Sequence, residues 1–220
     1  MKPHPYSENT LIPPGFINSM GYVDESEVNG PGSRAVLWVQ GCSRECEDCF
    51  NPASWPFEIN QWVTIDSIVE KVLNNPRNEG ITFSGSEPFW QAPALAQLAQ
   101  KLKAKGLNVM SFSGFTREQL QGANAPMGSL DLLRQLDILI DGAYIPALAI
   151  NDPNSPISSR NQRVHILNPA FCDRISWASD QVEIHMLQDG CRIFTGYQGQ
   201  SQFLARLTTT SGLFCMLTAV

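Results

Sequence analysis

What this 220-residue sequence lacks narrows its function before any motif is read. Charged residues make up only 16% of the chain, and 15 Lys and Arg against 21 Asp and Glu leave a net charge of −6. With no basic block, nothing draws the chain electrostatically to nucleic acid or to an anionic membrane. No apolar run approaches the roughly 20 residues that a membrane helix needs, and Met1 to Thr10 lacks the basic-then-apolar order of a signal peptide. The expected location is therefore the cytoplasm. Internal repeats and low-complexity blocks are also missing. At 24.3 kDa with 43% hydrophobic residues, the chain can bury one sizeable core but is short for two full domains.

Six cysteines are present, and three of them, Cys42, Cys46 and Cys49, fall within eight positions. A disulfide framework is not expected in a reducing compartment, so the clustering points to a metal. Their C-x3-C-x2-C spacing puts three soft thiolate ligands on one tight loop with no fourth cysteine nearby. Three protein ligands on a four-iron cube leave one iron open, as a catalytic site requires and a closed structural site does not. The competing reading is zinc held by three cysteines and one histidine. Only His4, His165 and His185 are available, none near the loop and none in a paired spacing. Cys172, Cys191 and Cys215 are widely spaced and read as packed small side chains.

From residue 35 onward, short β-like runs alternate with amphipathic helical stretches, the order of a parallel α/β sheet. Ala35 to Gln40 is the first expected strand. Ile65, Ile68, Val69, Val72 and Leu73 recur at helical spacing, with Thr64 or Asp66 to cap them. Gly80 to Phe83 is the second strand. Leu95, Leu98, Ala99 and Leu102 mark a helix that Gly106 can terminate. Leu107 to Phe112 is the third strand, Ser129 is a candidate cap for a helix through Leu132, Leu133 and Leu136, and Asp137 to Ile140 is the fourth strand. Farther on, Val182, Ile184 and Met186, Asp189-Gly190, and Ile193-Phe194 read as a hairpin closed by an Asp-Gly turn. The apolar tail Leu213 to Val220 is too short to span a bilayer.

The unusual residues fall just after these strands: the cysteine loop, Ser84-Gly85-Ser86-Glu87-Pro88, Ser113-Gly114-Phe115-Thr116, and Asp141-Gly142-Ala143-Tyr144. In parallel α/β folds the C-terminal strand ends share one edge, where ligands bind. Four distant segments are thus expected to meet at one site. Read singly, Gly30-Pro31-Gly32 is only a turn, Arg34, Arg160 and Arg163 are surface cations, and the five tryptophans are core or rim aromatics.

The C-x3-C-x2-C loop followed one βα unit later by Ser84-Gly85-Ser86-Glu87-Pro88 resembles the radical S-adenosylmethionine (SAM) superfamily. Asn29-Gly30-Pro31-Gly32-Ser33-Arg34, Phe50-Asn51-Pro52 with Trp55, Phe112 to Thr116, Asp137 to Gly142, and Ser159-Arg160-Asn161-Gln162-Arg163 narrow the likeness. They resemble the glycyl-radical activating proteins of anaerobic ribonucleotide reductase, over about residues 29 to 168. The resemblance implies an incomplete parallel (β/α) barrel of about six strands. An N-terminal extension at 1–28 precedes that core, 29–168, and a C-terminal β extension at 169–220 follows it.

It also implies the chemistry. A [4Fe-4S] cluster on Cys42, Cys46 and Cys49 binds SAM at its open iron and cleaves it reductively to a 5'-deoxyadenosyl radical, which takes hydrogen from a glycine of a partner enzyme. No catalytic side chain is assigned beyond the cluster and bound SAM. Gly85, Ser86, Glu87 and Pro88 are similar to the turn whose backbone meets the methionine amino group. Asp48 and Phe50 flank the last cysteine against the adenine, and Ser113 and Asp141 line the strand edge. An electron donor such as flavodoxin or ferredoxin is implied. The sequence departs from the pattern at Ser86, where a second glycine is usual, at Asp48, where a small residue is usual, and around Arg160. Two alternatives stand beside the activase: a small-molecule radical SAM enzyme of modified-nucleoside biosynthesis, and a non-catalytic iron-sulfur redox module.

Overall fold

A computed structural model describes residues 12–49, 51–150, 152, 155–172, 175, 177, 181–186, 192–196 and 214–216. Its centre is a seven-stranded mixed sheet in the order β3-β1-β2-β4-β5-β6-β7. The strands are β1 (Phe16–Ser26), β2 (Arg34–Val39), β3 (Gln61–Thr64), β4 (Gly80–Gly85), β5 (Asn108–Ser113), β6 (Ile138–Asp141) and β7 (Arg163–Ile166). The four middle strands β2, β4, β5 and β6 are parallel, while β1, β3 and β7 join antiparallel at the two sides.

The parallel strands come from the expected apolar runs. Four helices connect or follow them: α1 (Ile65–Asn74), α2 (Ala92–Lys103), α3 (Arg117–Gln121) and α4 (Ser129–Gln135). Thr64 caps α1, its hydroxyl accepting from the Ser67 amide at 3.1 Å. Gly106, at φ +84°, ends α2 as expected. The Leu107 amide returns to Leu102 and the Gly106 amide to Lys103, a left-handed stop that a side chain would oppose. Ser129 does not act as the cap of α4. Gly128, with φ +79°, occupies that position, and the Ser129 hydroxyl donates back to the Pro126 carbonyl.

Alternation along the strands divides the sheet into two faces. Ala35, Leu37, Val39, Ile81, Phe83, Val109 and Leu139 meet Ile68 and Val72 of α1, Leu95, Leu98 and Leu102 of α2, and Leu132 of α4 in the main core. Each fully buried leucine there contributes about 1.5–3 kcal/mol. On the other face, Val36 and Trp38 pack with Val23 and Ile193, while Met110, Ile138 and Ile140 pack with Ile157, Ile166, Ile175 and Trp177. That face is therefore covered in part by chain beyond residue 168.

The later chain forms a three-stranded sheet, β10-β9-β8, of β8 (Val182–Met186), β9 (Arg192–Gly196) and β10 (Phe214–Met216). The hairpin's strands lie where alternation placed them; its Asp189-Gly190 turn is outside the described residues. Its orientation differs from the apolar pattern, for Ile184 and Met186 are exposed. Hydrogen bonds set the face instead. The Glu183 carboxylate accepts from the Glu27 amide at 2.7 Å, and the Thr195 hydroxyl donates to Asn29 Oδ1 at 2.8 Å.

Arg34 is not a surface cation. It is 0% exposed and donates to the Pro31 carbonyl (2.6 Å), Thr82 Oγ1 (2.7 Å), Asn108 Oδ1 (2.8 Å) and the Ile81 carbonyl (3.1 Å). Burial lowers its pKa to about 10, which still leaves it charged at neutrality. It locks together the N-terminal ends of β2, β4 and β5.

Candidate functional site

The opposite ends of the same strands build the site. Val39 pairs with Gly85 and Ser113 with Asp141, so the four parallel strands stop level with one another. The segments following them converge as alternation and topology required.

The cysteine loop hangs from β2 by its backbone. The Gly41 amide donates to the Ser54 carbonyl at 2.8 Å and the Cys42 amide to the Trp55 carbonyl at 2.9 Å. The short 3-10 turn Pro52–Ser54 thus folds back against the start of the loop. Between these ties Glu45 and Asp48 take left-handed backbone conformations (φ +45° and +58°), which turn the chain tightly between cysteines. Aspartate tolerates that region better than most residues, which gives Asp48 a conformational reason to stand where it does.

Cys42 is buried, while Cys46 and Cys49 are half-buried, and all three are free. Burial pushes the Cys42 thiol up to about 12, with the charge of Glu87 adding to the effect. Burial, then the neighbouring Cys49, raises Cys46 as well. Cys42 and Cys46 are therefore held as thiols by the loop alone, and a metal's positive charge is needed to convert them to thiolates. Hydrogen-bond donors already face the sulfurs. The Arg44 amide points at Cys42 Sγ (3.4 Å), and Cys49 Sγ receives both the Asn51 amide (3.4 Å) and the Trp55 indole N–H (3.3 Å). Asn51 is 7% exposed, and its Nδ2 is a buried donor with no partner.

This donor set fits an iron-sulfur cluster: three soft sulfurs, N–H groups directed at two of them, and an unpartnered buried side-chain donor on Asn51, whose backbone amide meets the third. Among the described residues no three His, Cys, Asp or Glu side chains converge as one metal ion would require. A cube giving each cysteine its own iron does not ask for that convergence. The histidines of the zinc reading are committed elsewhere, His165 to Asp141 and His185 to Glu183, each at 3.0 Å. His4 is outside the described residues.

The turn after β4 adjoins the loop. Gly85 has φ +94°, and a Cβ there would lie 2.7 Å from the Val39 amide nitrogen, so only glycine fits. Ser86 needs neither positive φ nor close approach. Its amide donates to the Val39 carbonyl (3.1 Å) and its hydroxyl to the Ser54 carbonyl (2.5 Å), joining the turn to the cysteine loop. Glu87 is 0% exposed and accepts from Ser113 Oγ (2.9 Å), the Gly114 amide (2.8 Å) and the Phe89 amide (3.1 Å). Burial raises its pKa against these donors. Pro88 begins the 3-10 turn that Glu87 caps.

Ser113 and Asp141 belong to this edge, but their side chains are occupied. They alternate with Phe112 and Ile140 and so point to the helix-covered side, Ser113 toward Glu87. Asp141, 0% exposed, accepts from Arg163 Nε (3.0 Å) and Nη2 (2.7 Å) and from the Arg117 amide, with His165 at 3.0 Å. Burial pushes its pKa up, but these donors together outweigh burial and hold it below the ordinary carboxylate range. Arg163 also pairs with Glu118, so it is a clamp between β6, β7 and α3 instead of a free surface charge. Phe50 is outside the described residues.

Sequence reasoning passed over Asn51 and Trp55 as individual participants. The available signal was their place in the Phe50-Asn51-Pro52 and Trp55 run directly after the cysteines. Around the loop, Arg44 stacks 4.2 Å above the Phe115 ring, and Trp90 meets Phe115 and Phe57 edge to face.

Comparison with known proteins bears on this constellation. The family described as a 4Fe-4S single cluster domain matches residues 28–165. An anaerobic ribonucleoside-triphosphate reductase-activating protein of Escherichia coli is 31% identical over 160 residues, covering 69% of this chain and 99% of its own length. The enterobacteria phage T4 protein of the same name is 29% identical over 123 residues, covering 53% of this chain and 74% of the relative. A pyruvate formate-lyase-activating enzyme of Staphylococcus epidermidis is 42% identical over 98 residues, 42% of this chain and 37% of the relative.

Proposed function

Since the chain belongs to the 4Fe-4S single cluster domain family, alongside the anaerobic ribonucleotide reductase-activating proteins, we propose that its partner is an anaerobic ribonucleotide reductase. It is a radical SAM activase with a [4Fe-4S] cluster and SAM as cofactors, and it installs a glycyl radical on a protein. When bound, the cluster supplies the electron and SAM the 5'-deoxyadenosyl radical that removes a glycine hydrogen.

In this reading Cys42, Cys46 and Cys49 hold the cluster. The observation that carries it is the loop of three free thiols, hung by its backbone at the ends of the parallel strands, with donors already directed at two of the sulfurs. Gly85 lets the turn pass against Val39, leaving the backbone of 85–88 beside the loop to meet the methionine end of SAM. Glu87 fixes that backbone from behind through the Phe89 and Gly114 amides. Ser86 ties the turn to the loop, so the two cofactor-binding segments are positioned as one unit. Asp48 and Phe50 flank the adenine. Ser113 and Asp141 serve as positioning residues, holding Glu87 and α3 respectively.

The mixed sheet is then one wall of an incomplete barrel, with residues 29–168 as the catalytic unit, β1 as its buttress, 169–220 as a C-terminal extension, and Ile175, Trp177 and Ile193 packed on the face without helices. No described helix is long and apolar enough to cross a membrane. The partner glycine reaches the strand edge, and a flavodoxin or ferredoxin of the cytoplasm supplies the electron.

The test is anaerobic. The protein is reconstituted with iron and sulfide, given dithionite and SAM, and 5'-deoxyadenosine is quantified against a Cys46→Ala variant. A glycyl signal is then sought by electron paramagnetic resonance on added anaerobic ribonucleotide reductase. Cysteine-dependent product with a reductase radical supports the reading. Cysteine-dependent product with no radical on the reductase rejects that partner.

A further inference from the structure

Trp55 is tied to two of the three cysteines at once. Its carbonyl accepts from the Cys42 amide at 2.9 Å, and its indole Nε1 donates to Cys49 Sγ at 3.3 Å. Its own amide donates to the Pro52 carbonyl at 3.2 Å, closing the 3-10 turn and fixing the direction in which the ring leaves the backbone. The indole N–H is therefore placed by the same turn that anchors the start of the loop.

The donors are distributed unevenly. Cys42 Sγ receives one backbone amide, whereas Cys49 Sγ receives a backbone amide and the indole N–H. An N–H aimed at a cysteine sulfur stabilises whichever state of an iron-sulfur centre carries more negative charge, the reduced state, and so raises its potential. The Arg44 guanidinium on the same loop acts in the same direction, while the neighbouring carboxyl groups act the other way. Glu45, Glu47 and Asp48 are carboxylates on the same loop, and Glu87 lies buried beside Cys42. Each makes an added electron less favourable. The indole N–H is the one side-chain donor to a cysteine sulfur among the described residues that can be removed without altering the backbone.

We propose that Trp55 is a positioning residue for the iron-sulfur centre, holding the Cys49 sulfur through its indole N–H and thereby raising the centre's reduction potential. This rests on the ligand assignment made above for Cys49. It separates Trp55 from the other four tryptophans: Trp38, for instance, lies fully buried in the packing of β2 against β1 and Ile193.

The experiment uses the full chain reconstituted anaerobically without SAM, with iron and sulfide counted, and a redox titration followed by electron paramagnetic resonance. Trp55→Phe keeps a ring and removes the donor. At the wild-type midpoint its reduced-to-oxidised ratio should fall about tenfold, equivalent to a midpoint about 59 mV more negative for one electron. A tryptophan isostere carrying sulfur in place of the indole N–H fills the same space and should shift the midpoint in the same direction, even if the phenylalanine variant assembles poorly. Full iron with an unmoved midpoint in the isostere overturns the proposal and leaves the cluster assignment intact. Cys49→Ala with full iron and an unchanged spectrum overturns both, because Trp55 would then have no ligand sulfur to hold.

Discussion

Asp141 offers the sharpest separation between a cofactor contact and a framework contact. Its side chain is fully buried, its oxygens accept from Arg163 and the Arg117 amide, and His165 Nε2 lies 3.0 Å away. Asp141→Ala strands the Arg117 amide, at about 1–3 kcal/mol for an unsatisfied donor, and removes the charged acceptor from Arg163. Breaking a fully buried pair costs about 3–5 kcal/mol. Arg163 is 44% exposed, however, so water and Glu118 recover part of that loss. The expected destabilisation is about 2–4 kcal/mol. Asp141→Asn should cost nearly as much, because its amide nitrogen confronts the guanidinium as donor against donor. The assay is urea unfolding of the iron-free protein, anaerobic and reduced, followed by tryptophan fluorescence. The pH dependence has a definite sign. A carboxyl held below its unfolded value stabilises above that value, about 3.9, and loses the contribution as pH falls through its folded value. The wild type's advantage over Asp141→Asn should therefore be full at pH 7 and shrink below about pH 4. Variants within about 0.5 kcal/mol of wild type that nevertheless lose SAM binding would refute the framework argument and make Asp141 a cofactor contact.

Two further substitutions probe opposite ends of the parallel strands. Gly85→Ala places a Cβ 2.7 Å from the Val39 amide nitrogen at φ +94°, so strain and overlap together should cost about 2–5 kcal/mol; an unchanged thermal midpoint would contradict that geometry. Arg34→Lys cannot reproduce four donations from a planar fork and should lose about 2–4 kcal/mol in the same unfolding assay, whereas a surface arginine would lose almost nothing.

The legible parts of this fold were those whose local pattern and tertiary role coincide. The apolar runs of β2, β4, β5 and β6 are buried on both faces, so they read as strands without help. Their order put the cysteine loop and the Gly85 turn on one edge. β1 was not legible, because Asn18, Ser19 and Ser26 are buried polar residues in a strand held by pairing and by Gln91, which receives the Asn18 amide at 2.9 Å. The hairpin was legible as strands but not in its facing, since Glu183 and Thr195 choose the side through hydrogen bonds that hydrophobic alternation does not encode. At the site, residue types gave the sulfurs. They did not give the direction of Ser113 and Asp141, which follows from register, nor the reach of Trp55, which follows from the 3-10 turn.

The departure at Ser86 is resolved by asking which residue carries the tight backbone. Positive φ and close approach both fall on Gly85, so the serine Cβ is accommodated and its hydroxyl becomes available for the Ser54 carbonyl. That carbonyl already receives the Gly41 amide, and Trp55, the next residue, receives the Cys42 amide. Gln91 closes the frame by donating to the Gln40 carbonyl at 2.9 Å. The cysteine loop carries few apolar groups of its own and cannot be placed by packing. Its position is set instead by hydrogen bonds involving the 52–54 turn, the end of β2 and the turn after β4, the last two anchored in the helix-covered core through Val39 and Phe89. A framework of this kind keeps three thiols in place while leaving two of them accessible, which a site buried by side-chain packing could not do.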